Sequence, residues 1–193
     1  MPRWEHGSEE RLKQAALDLF SEQGFEDTSV VQIAERSGVT TRTFFRYFSD
    51  KREVLFADSD TLRSELVRAV AEAPDVVDPL QVVVGVLSTF DWEGRGRDIQ
   101  RRRYAVIAAN PELMERELIK NARMADEFAE ALRARGVDAR LARLAARVGR
   151  EIFLLAYEEW LVGGSADLAV IAKDMTALLW SMQSPETTTP PSR

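Results

Sequence analysis

The chain has 193 residues, a mass of 21.8 kDa and a formal net charge of −6. It has no cysteine and one histidine, His6. That composition excludes disulfide staples, thiolate nucleophiles, Cys-based metal centres and multi-His metal sites, and leaves a serine triad only His6 to draw on, so none is expected. The apolar fraction of 45% against 30% charged residues fits a globular chain of one or two domains. The first ten residues hold no apolar stretch, so no signal peptide is expected. No apolar run approaches the roughly 20 residues of a bilayer span, and a cytoplasmic protein without membrane contact is expected. The acidic total offers no global sign of nucleic-acid binding, so such a function has to show in local pattern.

Taken in chain order, almost every segment has helical periodicity. Leu12, Ala15, Ala16, Leu19 and Phe20 share one face of a first helix, with Ser8 as its expected cap and Gly24 as its stop. Ser29 and Gln32 stand at capping-box spacing ahead of a short second helix that Ser37-Gly38 ends. Thr40 or Thr41 opens a third helix through about Tyr47. Asp50 and Glu53 open a fourth, whose apolar stripe predicts one long helix to about Ala71. Pro79 suits the first turn of a helix over 80–90. Val82–Val84 are β-branched and would also suit a strand, but no partner strand is available. Residues 92–97 read as a loop, and further helices follow over about 97–108, 112–135, 139–162 and 165–182. Asp138 caps the third of these, and Ser165 or Asp167 the fourth. Residues 184–193, rich in Pro, Thr and Ser, read as a disordered tail.

The segment with functional content is 29–48. Ala34 is small where one helix crosses another, Gly38 follows four positions later in the turn, and Phe44 can plug the gap between the two helices. That is helix-turn-helix logic, with the second helix entering the major groove of DNA. The triplet alone also suits an ordinary small bundle. On the third helix, Phe44, Phe45 and Phe48 supply apolar anchoring, while Thr40, Thr41, Arg42, Thr43, Arg46 and Tyr47 supply groups for phosphates and base edges. Residues 1–53 hold eight Lys/Arg against ten Asp/Glu. A basic face therefore has to be local, from Arg42, Arg46, Lys51 and Arg52. Arg3 and His6 offer an N-terminal arm.

Residues 8–56 resemble the DNA-binding domain of the tetracycline-repressor-like (TetR) family. The resemblance is carried by Ala15-Ala16-Leu17-Asp18-Leu19-Phe20, Gly24-Phe25, Thr28-Ser29-Val30-Val31-Gln32-Ile33-Ala34, Ser37 to Phe48, and Lys51-Arg52-Glu53-Val54-Leu55. Where the family often has Gly and then Thr-Leu-Tyr, this chain has Arg42 and then Thr43-Phe44-Phe45. The resemblance implies an all-α fold of about nine helices. It implies a DNA-binding head at 8–53 and a ligand-binding, dimerising helical body at 54–183. It places Thr40, Thr41, Arg42, Thr43 and Arg46 toward the groove and Tyr47 and Lys51 toward phosphates. Thr28 and Ser29 lie at a helix N-terminus, where backbone N–H groups favour phosphate. The implied function is a transcriptional regulator, most simply a repressor. It would bind a palindromic double-stranded operator as a homodimer and be released by an unidentified small effector.

In the body, Leu141, Leu144, Val148 and Ile152 on one helix and Leu168, Ile171, Met175 and Leu179 on the next are candidate dimer residues. The region 152–161 is apolar nearly all round, which asks for a covered core face and a second covered face. All of it also suits a monomer core. Trp92, Arg103, Tyr104, Phe128, Phe153 and Tyr157 are candidate ligand contacts, with Arg103, in the run Arg101-Arg102-Arg103, meeting a carboxylate or phosphate. Each aromatic also suits plain core, and the Arg run a solvated face. No cofactor or metal is expected. The competing reading is an enzyme or ligand carrier on the same fold, and the sequence offers no Gly-rich phosphate loop, Ser-x-x-Lys or His-Glu-x-x-His pattern for it.

Overall fold

The computed structural model describes residues 6–74, 78–163 and 166–182. Arg3, Ser165 and the tail lie outside these residues, as does the side chain of His6. The described residues fold into α1 (His6–Gln23), α2 (Val30–Arg36), α3 (Thr41–Tyr47), α4 (Lys51–Phe56), α5 (Ser59–Glu72) and α6 (Pro79–Thr89). Then come a single 3-10 turn at Glu93–Arg95, α7 (Arg97–Ala108), α8 (Pro111–Ala134), α9 (Ala139–Val162) and α10 (Leu168–Ser181). Among the described residues there is no strand.

Most helix starts follow their local chemistry. Ser29 and Gln32 form the full capping box of α2. Thr40, Asp78, Asp138 and Asp167 accept first-turn N–H groups at α3, α6, α9 and α10. Val82, Val83 and Val84 are helical and buried in α6. Three expectations need correction. Ser8 lies inside α1, which begins at His6, so it is no cap. Asp50 caps α4 through the Arg52 and Glu53 N–H groups, but the Glu53 carboxylate turns to Arg116, leaving half a capping box. The long fourth helix is interrupted at Ala57–Asp58. Ala57 keeps helical angles (φ −51°, ψ −45°), and the Ser59 hydroxyl donates to the Phe56 carbonyl.

The chain divides into two compact units: Met1–Glu65 with Asp91–Met124, and Leu66–Phe90 with the chain from Ala125. The first unit's core joins Leu12, Phe20, Ile33, Phe44, Phe48, Leu55 and Phe56 to Val106, Ile107 and Leu113 of α7 and α8. Polar contacts reinforce that join. Arg102 pairs with Asp18 at 2.7 Å, and Arg103 donates to the Leu55 carbonyl at 2.7 Å. The short head helices bury too little alone, so α7 and the start of α8 complete their core.

In the second unit α6 and α10 both pack on α9. Close approach is built into α9 by Ala142, Ala145, Ala146 and Gly149, all buried. A Cβ at Gly149 would stand 2.9 Å from Val83 Cγ1, so α6 occupies the space a side chain would need. Phe128, Ile152, Phe153, Ala156, Trp160, Leu168 and Ile171 are also buried in this unit.

Candidate nucleic-acid interface

The turn between α2 and α3 has the geometry the sequence predicts. Gly38 has φ +70°, a conformation that costs an L-residue. Its N–H donates to the Glu35 carbonyl at 3.1 Å, and the Val39 N–H to the Ala34 carbonyl at 3.0 Å, the paired bonds of a Schellman cap. Ala34 is 1% exposed and Phe44 fully buried, so the small residue and the plug meet inside the unit.

The seven residues of α3 then split by face. Phe44 and Phe48, four apart, lie inward with ring centroids 5.5 Å apart. Phe45 stands edge-on to Phe44 and is 58% exposed. It is therefore not an anchor as expected, because it lies about 100° round the helix from Phe44. Thr40, Arg42, Phe45 and Arg46 are exposed, while Thr41, Thr43 and Tyr47 are half-buried. The Thr40 hydroxyl accepts the Thr43 N–H at 3.2 Å and lies 3.1 Å from the Thr43 hydroxyl. Arg46 donates to Tyr47 Oη at 2.9 Å, with its guanidinium 4.9 Å from that ring's centre. Arg42 makes no hydrogen bond or ion pair with any described residue.

The wider basic face is narrower than expected. Lys51 Nζ donates to the carbonyls of Phe25 (2.6 Å), Thr28 (3.0 Å) and Glu26 (3.1 Å), and sits 4.3 Å over the Phe25 ring. Its three donors are spent holding the α1–α2 loop, and only its charge remains to offer a phosphate. Arg52 is held by Asp50 at 2.9 Å and by Glu112. Burial works to raise the Asp50 carboxyl; the Arg52 guanidinium and the Glu53 and Arg52 N–H groups outweigh it, so its pKa lies below the usual value. Thr28 is 2% exposed, and its hydroxyl donates to the Gly24 carbonyl at 2.7 Å, so its side chain is turned into the loop. Ser29 is exposed, with its hydroxyl engaged by Gln32. On this side of the unit Arg36 makes a two-point pair with Glu22 at 2.8 and 3.1 Å. The Arg36 bond lowers the Glu22 carboxyl's pKa, and that bond in turn raises the Arg36 guanidinium's.

The expected ligand residues divide between the units. Trp92, Arg103 and Tyr104 belong to the first, and Phe128, Phe153 and Tyr157 to the second. Arg103 is committed. It pairs with Glu117 at 3.1 Å, donates to Leu55, and lies 5.3 Å from the centre of the Phe56 ring. It is thus a brace between α4, α7 and α8, and its expected carboxylate is already in the chain. Trp92, Phe128 and Phe153 are buried, Tyr157 is half-buried, and Tyr104 is exposed. The expected dimer residues also divide. Leu141 and Leu144 are exposed and Val148, Met175 and Leu179 half-buried, whereas Ile152, Leu168 and Ile171 lie in the second unit's own core. The exposed stripe continues instead through Leu155 and Val162 on α9 and through Val170, Leu178 and Trp180 on α10.

Two residues escaped sequence reading. Phe45 was hidden by the run of aromatics around it. Arg150 was hidden by the apolar stretch that follows it, although a helical projection sets it between Ala146 and Phe153 on the buried face. Among the described residues no group of three or more His, Asp or Glu is placed to hold a metal, and no helix is long and apolar enough to cross a membrane.

A short helix pinned by its inner aromatics, with its outer face open and led into by a Gly turn, defines a helix-turn-helix DNA-binding protein. The family model described as bacterial regulatory proteins, tetR family, matches residues 12–57. The transcriptional regulator TcmR of Streptomyces glaucescens is 28% identical over 185 residues, 90% of this chain and 82% of that one. Among solved structures, the TetR-family repressor FadR of Thermus thermophilus, in complex with lauroyl-CoA, is 25% identical. It matches with a TM-score of 0.56 over 96% of this chain and all of the other. NalD, a repressor of a multidrug efflux pump in Pseudomonas aeruginosa, shares the fold with a TM-score of 0.67 at 20% identity, over 93% of this chain and 96% of that one. Residues 12–57 thus carry a tetR-family DNA-binding domain, and the chain is similar over most of its length to TetR-family transcriptional regulators.

Proposed function

We propose that the protein is a ligand-responsive repressor that binds a palindromic operator as a homodimer and leaves it when a small apolar or amphipathic effector binds. The observation that carries this reading is the outer face of α3. A guanidinium with no hydrogen-bond or ion-pair partner among the described residues, Arg42, stands beside Arg46, Phe45 and Thr40 on a helix whose other face is locked into the core. An arginine left free in water costs the fold nothing and retains its two-point fork for guanine or phosphate. Phe45 suits contact with a thymine methyl. Thr41, Thr43, Tyr47 and Ser29 are the flanking polar contacts, and Lys51 adds charge.

One such helix reads only a few base pairs, so affinity and specificity call for a second copy about one helical turn away, ~34 Å. The exposed apolar stripe of α9 and α10 supports self-association. Leu144 is 61%, Leu155 54% and Leu178 60% exposed, more aligned apolar surface than a monomer usually leaves in water. The TcmR match over most of both chains supports a regulator, and the lauroyl-CoA complex of FadR supports an effector. Release then needs only a coupling free energy of about 1–3 kcal/mol between the two ligands to change occupancy several-fold to a hundred-fold.

The test is an anisotropy titration on DNA selected by the protein from a random pool. Arg42→Ala with Arg46→Ala should weaken binding at least a hundred-fold and flatten the salt dependence. Unchanged affinity removes α3 from the interface. Leu144→Glu with Leu155→Glu should give a monomer by light scattering; a wild type that is itself monomeric at micromolar strength defeats the dimer.

A further inference from the structure

Arg150 is the one charged residue among the buried side chains of the second unit's described residues, at 9% exposure. Its guanidinium is served on one side only. Nη2 donates to Glu151 at 2.6 Å, and Glu151 is itself 61% exposed. Nη1 is enclosed and has no hydrogen-bond partner among the described residues. An arginine cannot shed its proton to escape this, so an enclosed N–H pair on a permanent cation is left without an acceptor. Such a group is retained where an acceptor arrives from outside the chain.

A second copy of the chain cannot bring it. With about 100° between successive residues, Arg150 lies on the arc of α9 roughly opposite the exposed stripe of Leu141, Leu144 and Leu155. The same arc as Arg150 carries Ala146, Phe153 and Tyr157. The Phe153 and Tyr157 rings lie 5.4 Å apart at 33°, and Tyr157 stacks on Trp160 at 5.6 Å and 30°. One face of α9 therefore carries a cation whose Nη1 is unserved and, from three residues further on, a run of adjoining rings, a pairing of charge and apolar surface suited to an amphipathic acid.

We propose that Arg150 is the anion anchor of the effector site, its Nη1 taking a carboxylate oxygen of a small acid whose apolar body lies against Phe153 and Tyr157. This deepens the effector reading above and rests on it. The chemistry is a charge-assisted hydrogen bond formed away from water, where replacing the acid by its neutral amide loses most of the gain.

The experiment uses the full chain without DNA. Benzoate, 2-naphthoate, decanoate and their primary amides are titrated calorimetrically into wild type, Arg150→Met and Arg150→Lys, each first checked for native helicity. At least one acid should bind wild type tenfold or more tightly than its amide. Arg150→Met should bind that acid and amide alike, and Arg150→Lys should keep part of the preference. Equal binding of every acid and amide by wild type overturns the proposal, as does a preference that survives in Arg150→Met. A crystal structure at saturating acid that shows only an ordered water on Nη1 also overturns it. Adding selected operator then separates the two readings. An acid held by Arg150 that does not release DNA leaves the anchor standing and defeats its role as effector.

Discussion

Two arginines set the head and the body of this protein apart. Arg42 stands exposed on a helix of seven residues and makes no hydrogen bond or ion pair with any described residue, whereas Arg150 is enclosed on a helix of twenty-four and is half served. Both are unfinished contacts, but the unfinished state has a different energetic meaning in each. Solvent completes Arg42 at no cost to the fold, so its role has to be inferred from what the helix presents around it. Nothing solvates Arg150 Nη1, so the fold itself carries the cost, and the missing acceptor can be inferred from the residue alone. An exposed recognition group is cheap to keep and depends on geometry; an enclosed one is costly and depends on its ligand.

The comparison can be broken in several ways, taken from the largest effect down. Phe44→Ala empties the plug that holds α3, and should cost about 3–5 kcal/mol in a denaturant melt and remove operator binding. A loss below about 1 kcal/mol would mean that α3 is not held by its core face. Gly38→Ala forces a Cβ into φ +70°, with an expected cost of about 1–2 kcal/mol. No neighbour lies within 4 Å of that Cβ, so the whole loss is conformational. Asp50→Ala should cost about 1 kcal/mol near neutral pH, the usual worth of a helix cap. The sign with pH follows from a carboxyl held below its usual value. Its contribution is complete above the unfolded value near 3.9 and is lost as pH falls through the lower folded value. The gap between wild type and variant should therefore be flat above about pH 5 and close in strong acid. Smallest of all, Arg42→Ala should leave the melt within about 0.5 kcal/mol of wild type. Ligand-free Arg150→Met should match wild type or exceed it by up to about 1 kcal/mol, because a half-served cation leaves the interior. A loss above about 2 kcal/mol would make Arg150 a structural group.

The same contrast explains what could be foreseen from the residues. Ala34, Gly38 and Phe44 act through neighbours a few positions away, so their spacing carried the turn, the plug and the helix limits. The caps at Ser29, Thr40, Asp138 and Asp167 were legible for the same reason. Lys51 and Arg103 were not, because their partners, the carbonyls of Phe25 to Thr28 and the Glu117 carboxylate, stand 14 to 26 positions away. Sequence shows that such a residue is charged and does not show that its charge is spent. The packing of Val106, Ile107 and Leu113 into the first unit's core was not legible, because their apolar periodicity says that they are buried without saying against what. Ile152, Leu168 and Ile171 lie in the second unit's core and not on its exposed apolar stripe; α9 is apolar on two faces, and only packing by α6 and α10 decides which face is already covered.

The most direct measurement is the DNA that wild-type protein and the Arg42→Ala, Arg46→Ala variant each select from a random pool. The wild type should enrich one inverted repeat whose half-sites are centred about a helical turn apart, and the variant should enrich none. Enrichment of the same repeat by both proteins, or of no sequence by the wild type, would contradict the assignment of α3 as the reading helix.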